Sequence, residues 1–331
     1  MTSDIQIPGS DIFKIKTSRE FNDLSVQIFH YQYLNNQVYK KFVDYLGKIP
    51  SAISTIADIP FLPVDAFKKH KIICGEATVE ITFSSSGTTG SIESNHYVTD
   101  IQLYEQSFSR GFEMFYGDAH EYVILALLPS YLERSGSSLI YMVDRLMRKS
   151  GHTCNGFYLY NHEELFKKMI ELRNNEQKTI LLGVSFALLD FIENHKLNWP
   201  ELIVMETGGM KGRRKEIVRE ELHQMIINGL GVKSVHSEYG MTELLSQAYS
   251  SKDGKYFTPP WMKIMIRDTN DPLTCLPDGK TGGINIIDLA NLNSCSFIST
   301  GDLGKLYGDG SFEVLGRFDT SEIRGCNLMV E

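Results

Sequence analysis

No two cysteines in this chain stand at C-x-x-C spacing. The five present (Cys74, Cys154, Cys275, Cys295 and Cys326) are odd in number and widely separated, which argues against a disulfide framework or a cysteine zinc site and predicts a reducing, cytoplasmic setting. Long apolar runs are also missing: the longest worth weighing, residues 122–128, falls far short of the ~20 residues a membrane span needs. The opening Met1-Thr2-Ser3-Asp4-Ile5 has neither a basic nor an apolar region, so no secretory signal is expected. Positive charge is scarce, with 33 Lys and Arg against 41 Asp and Glu and a formal charge of −8. The one basic cluster, Lys211-Gly212-Arg213-Arg214-Lys215, is followed by Glu216, Glu220 and Glu221, the pattern of a solvated helix start. Nucleic acid and anionic membrane, which need a dense basic footprint, are therefore not expected as partners. Repeats, low-complexity tracts and long flexible linkers are absent as well.

What is present is an ordinary globular composition, 42% hydrophobic and 22% charged over 331 residues, enough for one large domain or two unequal ones. Phe21, Leu24, Ile28, Tyr31, Val38, Phe42 and Tyr45 recur near a 3.6-residue period and predict a helix over 20–47. It belongs to an N-terminal helical cap, residues 1–75, in which Pro60 and Pro63 force extended backbone before Phe67. Over 76–250 strands (78–83, 122–128, 179–184, 202–206, 232–236) alternate with helices (100–115, 137–148, 187–193, 213–227), and a short helix is expected to open near Thr242. Such alternation predicts an α/β sheet with helices on its faces. Over 251–331 Gly, Pro and Asp punctuate short apolar runs (264–266, 283–287, 297–299, 312–315), the mark of a small β-rich subdomain.

The first expected strand of the core runs into Ser84-Ser85-Ser86-Gly87-Thr88-Thr89-Gly90. Its glycines let backbone N–H groups approach an anion, and its hydroxyls donate to phosphate oxygens without bulk. A flexible polar turn is the ordinary alternative. No Lys follows Gly90, so this is not a Walker loop. It does not fit G-x-G-x-x-G either, and no G-x-S-x-G supports a serine hydrolase.

Four segments, in order, resemble the adenylate-forming superfamily: Ser84–Gly90, Tyr239-Gly240-Met241-Thr242-Glu243, Thr300-Gly301-Asp302 and Gly316-Arg317-Phe318-Asp319. Within that superfamily the chain is most similar to LuxE-type acyl-protein synthetases, through Ile59-Pro60-Phe61-Leu62-Pro63, Leu127-Leu128-Pro129-Ser130-Tyr131-Leu132-Glu133-Arg134, Thr207-Gly208-Gly209 and the closing stretch with Arg324-Gly325-Cys326-Asn327. The resemblance implies the superfamily's large N-terminal α/β domain, with parallel-rich sheets and flanking helices. It adds the small β-rich subdomain ending at a hinge-like motif, and the usual C-terminal domain of about a hundred residues is absent. It implies an ATP-dependent ligase that activates a carboxylic acid, a fatty acid in these enzymes, as acyl-AMP. The acyl group then passes to a thiol, in a system with an acyl-reductase, acyltransferase or carrier-protein partner.

The resemblance also assigns roles. Ser85, Ser86, Thr88 and Thr89 would contact the ATP phosphates, shaped by Gly87 and Gly90. Thr242 would bind the α-phosphate, and Glu243 would hold Mg²⁺, which favours hard carboxylate oxygen. Tyr239 would stack on adenine in a pocket lined by Gly208, Gly209 and Gly240. Asp302 would accept both ribose hydroxyls, Arg317 would reach ribose or phosphate, Asp319 would sit at the hinge, and Cys326 would be the acylated nucleophile. Ordinary alternatives stand beside these: a helix cap for Thr242 and Glu243, a core tyrosine for Tyr239, and a turn aspartate for Asp302. Arg317 and Asp319 could form a surface ion pair, and Cys326 could be a buried small residue. Two departures stand out: the family's Lys after the loop is missing, and so is the domain that carries its catalytic Lys. Alternative functions are an aryl- or acyl-CoA ligase of the phenylacetate-CoA ligase type and a nucleotide-binding protein that has lost catalysis.

Overall fold

The computed structural model describes residues 7–85, 92–128, 136–208 and 217–318. The N-terminal segment forms helices α1 (Gly9–Ile12), α2 (Ser18–Asn35) and α3 (Gln37–Tyr45). Thr17 and Glu20 close a capping box at the start of α2. The single helix expected over 20–47 is thus two. Asn36 adopts extended backbone (φ −103°, ψ 104°), and its side-chain oxygen accepts from the N–H groups of Val38 and Tyr39. Its amide donates to the Ser294 carbonyl at 2.9 Å, so the break is anchored by a distant part of the chain.

Strand β1 (Leu62–Pro63) and helix α4 (Ala66–Lys69) lead to β2 (Ile81–Ser84), β3 (Asn95–Val98) and α5 (Ile101–Tyr116). The strand β3 was not among the expected elements; it pairs antiparallel with β2. It alternates half-buried Asn95 and Tyr97 with buried His96 and Val98, the two-residue period of a strand. The core continues through β4 (Val123–Leu127), α6 (Ser138–Ser150), β5 (Gly156–Phe157), α7 (His162–Asn174), β6 (Thr179–Val184), α8 (Ser185–Asn194), β7 (Ile203–Thr207), α9 (Arg219–Leu230), β8 (Val235–Tyr239) and β9 (Ala248–Ser250). Its sheet has the order β5-β4-β6-β7-β8-β9, parallel except for β9. Every residue of β4 and β6 is buried, the pattern of strands covered on both faces. Helix α7 is a further unforeseen element; Leu165, Met169 and Leu172 form its buried stripe. The expected helix over 213–227 is described only from α9 onward, and the basic cluster before it lies outside the described residues.

The C-terminal strands β10 (Met262–Arg267), β11 (Thr281–Asp288), β12 (Phe297–Leu306) and β13 (Phe312–Arg317) form an antiparallel sheet. Its far edge is β1, parallel to β12 with Leu62 facing Ile298. Helix α2 is fastened to the same sheet. Gln32 donates to the carbonyls of Asn291 and Leu292, both at 2.9 Å, and accepts from the Ser296 N–H at 3.0 Å. Phe297 packs against Phe29 and Tyr39 at this joint. No described helix is long and apolar enough to cross a membrane.

Candidate active site

The serine- and threonine-rich loop joins β2 to β3. Beyond the rung Ser84–Asn95, Ser85 donates its N–H to the Ser94 carbonyl (3.0 Å), and the Ser94 N–H donates to Ser85 Oγ (2.9 Å). The loop therefore leaves from a zipped base. Of its expected phosphate contacts, Ser85 is described; Ser86, Gly87, Thr88, Thr89 and Gly90 lie outside the described residues.

Thr242 and Glu243 follow β8 in a turn, not at a helix start, which corrects both the expected short helix and the helix-cap alternative. The cause is Asp288, at the end of β11. Its carboxylate accepts from the N–H groups of Leu245 (2.8 Å) and Ser246 (3.0 Å), the Ser246 hydroxyl (2.5 Å) and the Ala290 N–H (3.2 Å). Donors satisfied by a distant carboxylate need no helical carbonyl. Glu243 is buried, and burial pushes its carboxyl up. The nearby Ser94 side chain, Glu243's own backbone N–H, then the charges of Arg317 and Lys68, pull the other way.

Asp302 sits within β12 rather than in a turn, 7% exposed, with Arg317 of β13 as its ladder partner. Tyr239, at the end of β8, donates its hydroxyl to Asp302 Oδ2 at 2.7 Å. Arg317 Nε lies 3.4 Å from Asp302 Oδ1, its ion partner among the described residues; Asp319 and Cys326 lie outside them. Burial, then the Asp302 charge, pushes the Tyr239 phenol well above its ordinary value, which keeps it a donor. Its ring is edge-on to Tyr256 and Phe312, with centroids at 6.0 and 5.7 Å. It is a core tyrosine whose polar end emerges on Asp302. Sequence reasoning missed Arg267, a buried guanidinium in β10 that donates to the Ile284 and Thr300 carbonyls and to Asn285 Oδ1. A lone arginine closing an apolar strand was the available signal.

Gly208, just after β7, has φ +67°, where side chains fit poorly, and its carbonyl accepts from Ser185 Oγ at 3.0 Å. Gly209 lies outside the described residues. At Gly240 a Cβ would come within 2.5 Å of Glu238 Oε1, so a side chain there would force the Glu238 carboxylate to shift. Glu238 and Glu206 are further acids that the sequence reading passed over, both buried on adjacent strands. Glu206 accepts from Ser185 Oγ and lies 3.7 Å from both Arg219 Nε and His223 Nε2. Glu238 accepts from the Thr207 hydroxyl.

Burial raises the Glu238 carboxyl from 4.5 to about 7; the Thr207 hydrogen bond opposes this and the Glu206 charge adds to it. The folded pKa lies above the unfolded one, so the native state holds the extra proton between them. Stability is lost as pH rises from 4.5 towards 7 and stays reduced above. Glu238→Gln removes this term. Its stability relative to the parent should rise across that window, by up to about 3 kcal/mol. Urea unfolding of both proteins below and above the window measures the change, and parallel pH dependence in the two would overturn it.

Four motifs far apart in sequence therefore come together: Tyr239, Asp302 and Arg317 in direct contact, and the Ser85–Ser94 loop base beside Glu243. They set a carboxylate, an exposed guanidinium and a buried acid around the hydroxyl-rich loop base. Such a set suits a sugar diol and a string of phosphates. Among known proteins, the family described as Acyl-protein synthetase, LuxE matches residues 14–331. No curated protein matches the chain. Among solved structures, ATP-bound MatB from Rhodopseudomonas palustris is similar with TM-score 0.55 and 16% identity, over 83% of this chain and 52% of that one. An open conformation of 2-hydroxyisobutyryl-CoA ligase in complex with 2-HIB-AMP and CoA is similar with TM-score 0.67 and 14% identity, over 91% of this chain and 75% of that one. The chain thus spans about half the length of the MatB structure. At these identities the likeness is one of fold, and the expected adenylate-forming fold is the one found.

Proposed function

The chain belongs to the LuxE acyl-protein synthetase family, and from that premise we propose that it activates a carboxylic acid with ATP and passes the acyl group to a thiol. The acid oxygen attacks the α-phosphorus, pyrophosphate leaves, and the acyl-AMP then acylates a thiolate with release of AMP. The observation that carries this is the meeting of Tyr239, Asp302 and Arg317 beside the Thr242–Glu243 turn and the loop base. In this reading Asp302 accepts the ribose hydroxyls and Arg317 reaches ribose or phosphate. Tyr239, Gly208, Gly209 and Gly240 bound the adenine, while Thr242 and the loop from Ser85 to Gly90 take the phosphates.

The donor set fits Mg²⁺. No cluster of three or more acids, histidines or cysteines occurs among the described residues, and Mg²⁺ is commonly held by one or two carboxylates together with substrate phosphates. Glu243 would hold it, and when bound it supplies positive charge against the phosphates. A fatty acid is the proposed substrate, Cys326 the proposed first acceptor, and an acyl-reductase, acyltransferase or carrier protein the proposed partner.

Acid-dependent exchange of pyrophosphate into ATP, run over fatty and aromatic acids, tests the proposal. Fatty acids should support exchange. Labelled acid with ATP should leave a covalent acyl-enzyme that Cys326→Ser does not form. AMP release that depends on CoA would favour a CoA ligase instead, and silence with every acid would overturn activation altogether.

A further inference from the structure

The return strand of the loop hairpin aims a second side chain at the acid turn. Residues two apart on a strand share a face; on β3 the buried face is that of His96, fully buried, and Val98. Its Nδ1 lies 2.9 Å from the Thr242 carbonyl oxygen. A carbonyl only accepts, so Nδ1 carries the hydrogen and Nε2 the lone pair. Burial pushes the imidazole down to about 4, in keeping with a neutral ring. From the opposite side Asn291, in the turn after β11, donates Nδ2 to the Glu243 carbonyl at 2.8 Å, which leaves its Oδ1 as an acceptor. His96 Nε2 and Asn291 Oδ1 are buried without a hydrogen-bond partner among the described residues. Both side chains line one cavity of about 10 Å³, close to the room a single water needs. The two hydrogens of one water match those two acceptors.

We infer that His96 and Asn291 are positioning residues that clamp the consecutive carbonyls of Thr242 and Glu243, locking the loop hairpin and the acid turn into one unit. This rests on the adenylation reading above. The clamp fixes where the Thr242 hydroxyl and the Glu243 carboxylate point, through backbone that has no helix to hold it.

Three substitutions at His96 separate geometry from bulk. In His96→Asn the amide nitrogen can stand where Nδ1 stands, in His96→Gln it extends to the place of Nε2, and His96→Phe keeps a ring without a donor. His96→Phe and His96→Gln should lower kcat for acid-dependent pyrophosphate exchange about 10- to 100-fold, the scale of a small misplacement at a reacting centre, with KM for the acid unchanged. His96→Asn should stay within a few-fold of the parent. Amide deuterium uptake over residues 239–247 should rise in the Phe variant and not in the Asn variant. Equal activity of all three variants, or losses that follow stability with no rescue by Asn, would overturn the clamp. If the parent is silent with every acid, the adenylation reading fails and the uptake measurement still decides the clamp: unchanged uptake in His96→Phe rejects it.

Discussion

Asp302→Ala should lower acid-dependent pyrophosphate exchange by about 100-fold or more, and most of that loss should appear in KM for ATP. Asp302 is the one carboxylate that Tyr239 and Arg317 both address, at 2.7 and 3.4 Å. Hydrogen bonds to a charged group are worth ~1.5–3 kcal/mol each, and a buried donor stripped of its acceptor costs ~1–3 kcal/mol more. Truncation removes the proposed acceptors for the ribose hydroxyls and also strands the Tyr239 phenol. Asp302→Asn keeps one acceptor and should fall between the two. Urea midpoints of the variants separate lost binding from lost folding. An unchanged KM for ATP in a folded Ala variant would reduce Asp302 to a structural partner of Tyr239.

The largest expected effect on stability lies at Asp288. Its carboxylate is fully buried, which pushes it up to about 6, while hydrogen bonds from Ser246, Leu245 and Ala290 pull it down. Alanine there leaves the N–H groups of Leu245, Ser246 and Ala290 without an acceptor in the interior and takes from the Ser246 hydroxyl its carboxylate partner, with Ser107 Oγ at 3.0 Å as its remaining one. The loss should be ~3–5 kcal/mol, the range for breaking a buried charged network from one side, against a typical total of ~5–15 kcal/mol. Asparagine should recover little, because its NH₂ faces donors. Urea unfolding measures both variants, and a loss of less than ~1 kcal/mol on truncation, the scale of an ordinary surface change, would contradict the assignment.

Asp288 also shows why some of the site was illegible in sequence. The core strands are readable because β4 is apolar throughout and β6 apolar after Thr179, each bounded by turn residues. Tyr239, Asp302 and Arg317, which the fold brings into contact, could be singled out beforehand because each sits in a short motif. The turn at Thr242 was not, since the acceptor that replaces helical hydrogen bonding arrives from β11. The α2–α3 break lacks the Gly or Pro that would have marked it; Asn36 makes it by capping, with Ser294 as its distant anchor. Strand β3 hides behind the polar pair Asn95-His96; the Ser84 hydroxyl donates to Asn95 Oδ1, and the Thr242 carbonyl accepts from the buried His96. Arg267 and Glu238 belong to no motif and become visible only when burial is known.

The pairing of β1 with β12 gives the chain a birth order. Leu62 finds Ile298, and Gln32 finds Asn291, Leu292 and Ser296, so α2 and β1 must wait for β12. During synthesis the parallel sheet between them can assemble as its strands emerge, while the N-terminal helices stay undocked with Phe29 and Tyr39 facing solvent or a chaperone. Contacts between such remote positions also slow refolding, because Gln32 and Ser296 are 264 residues apart in sequence. A nascent chain halted before residue 297 should therefore hold a formed α/β core beside a protease-sensitive N-terminal segment, which becomes resistant once β12 has left the ribosome.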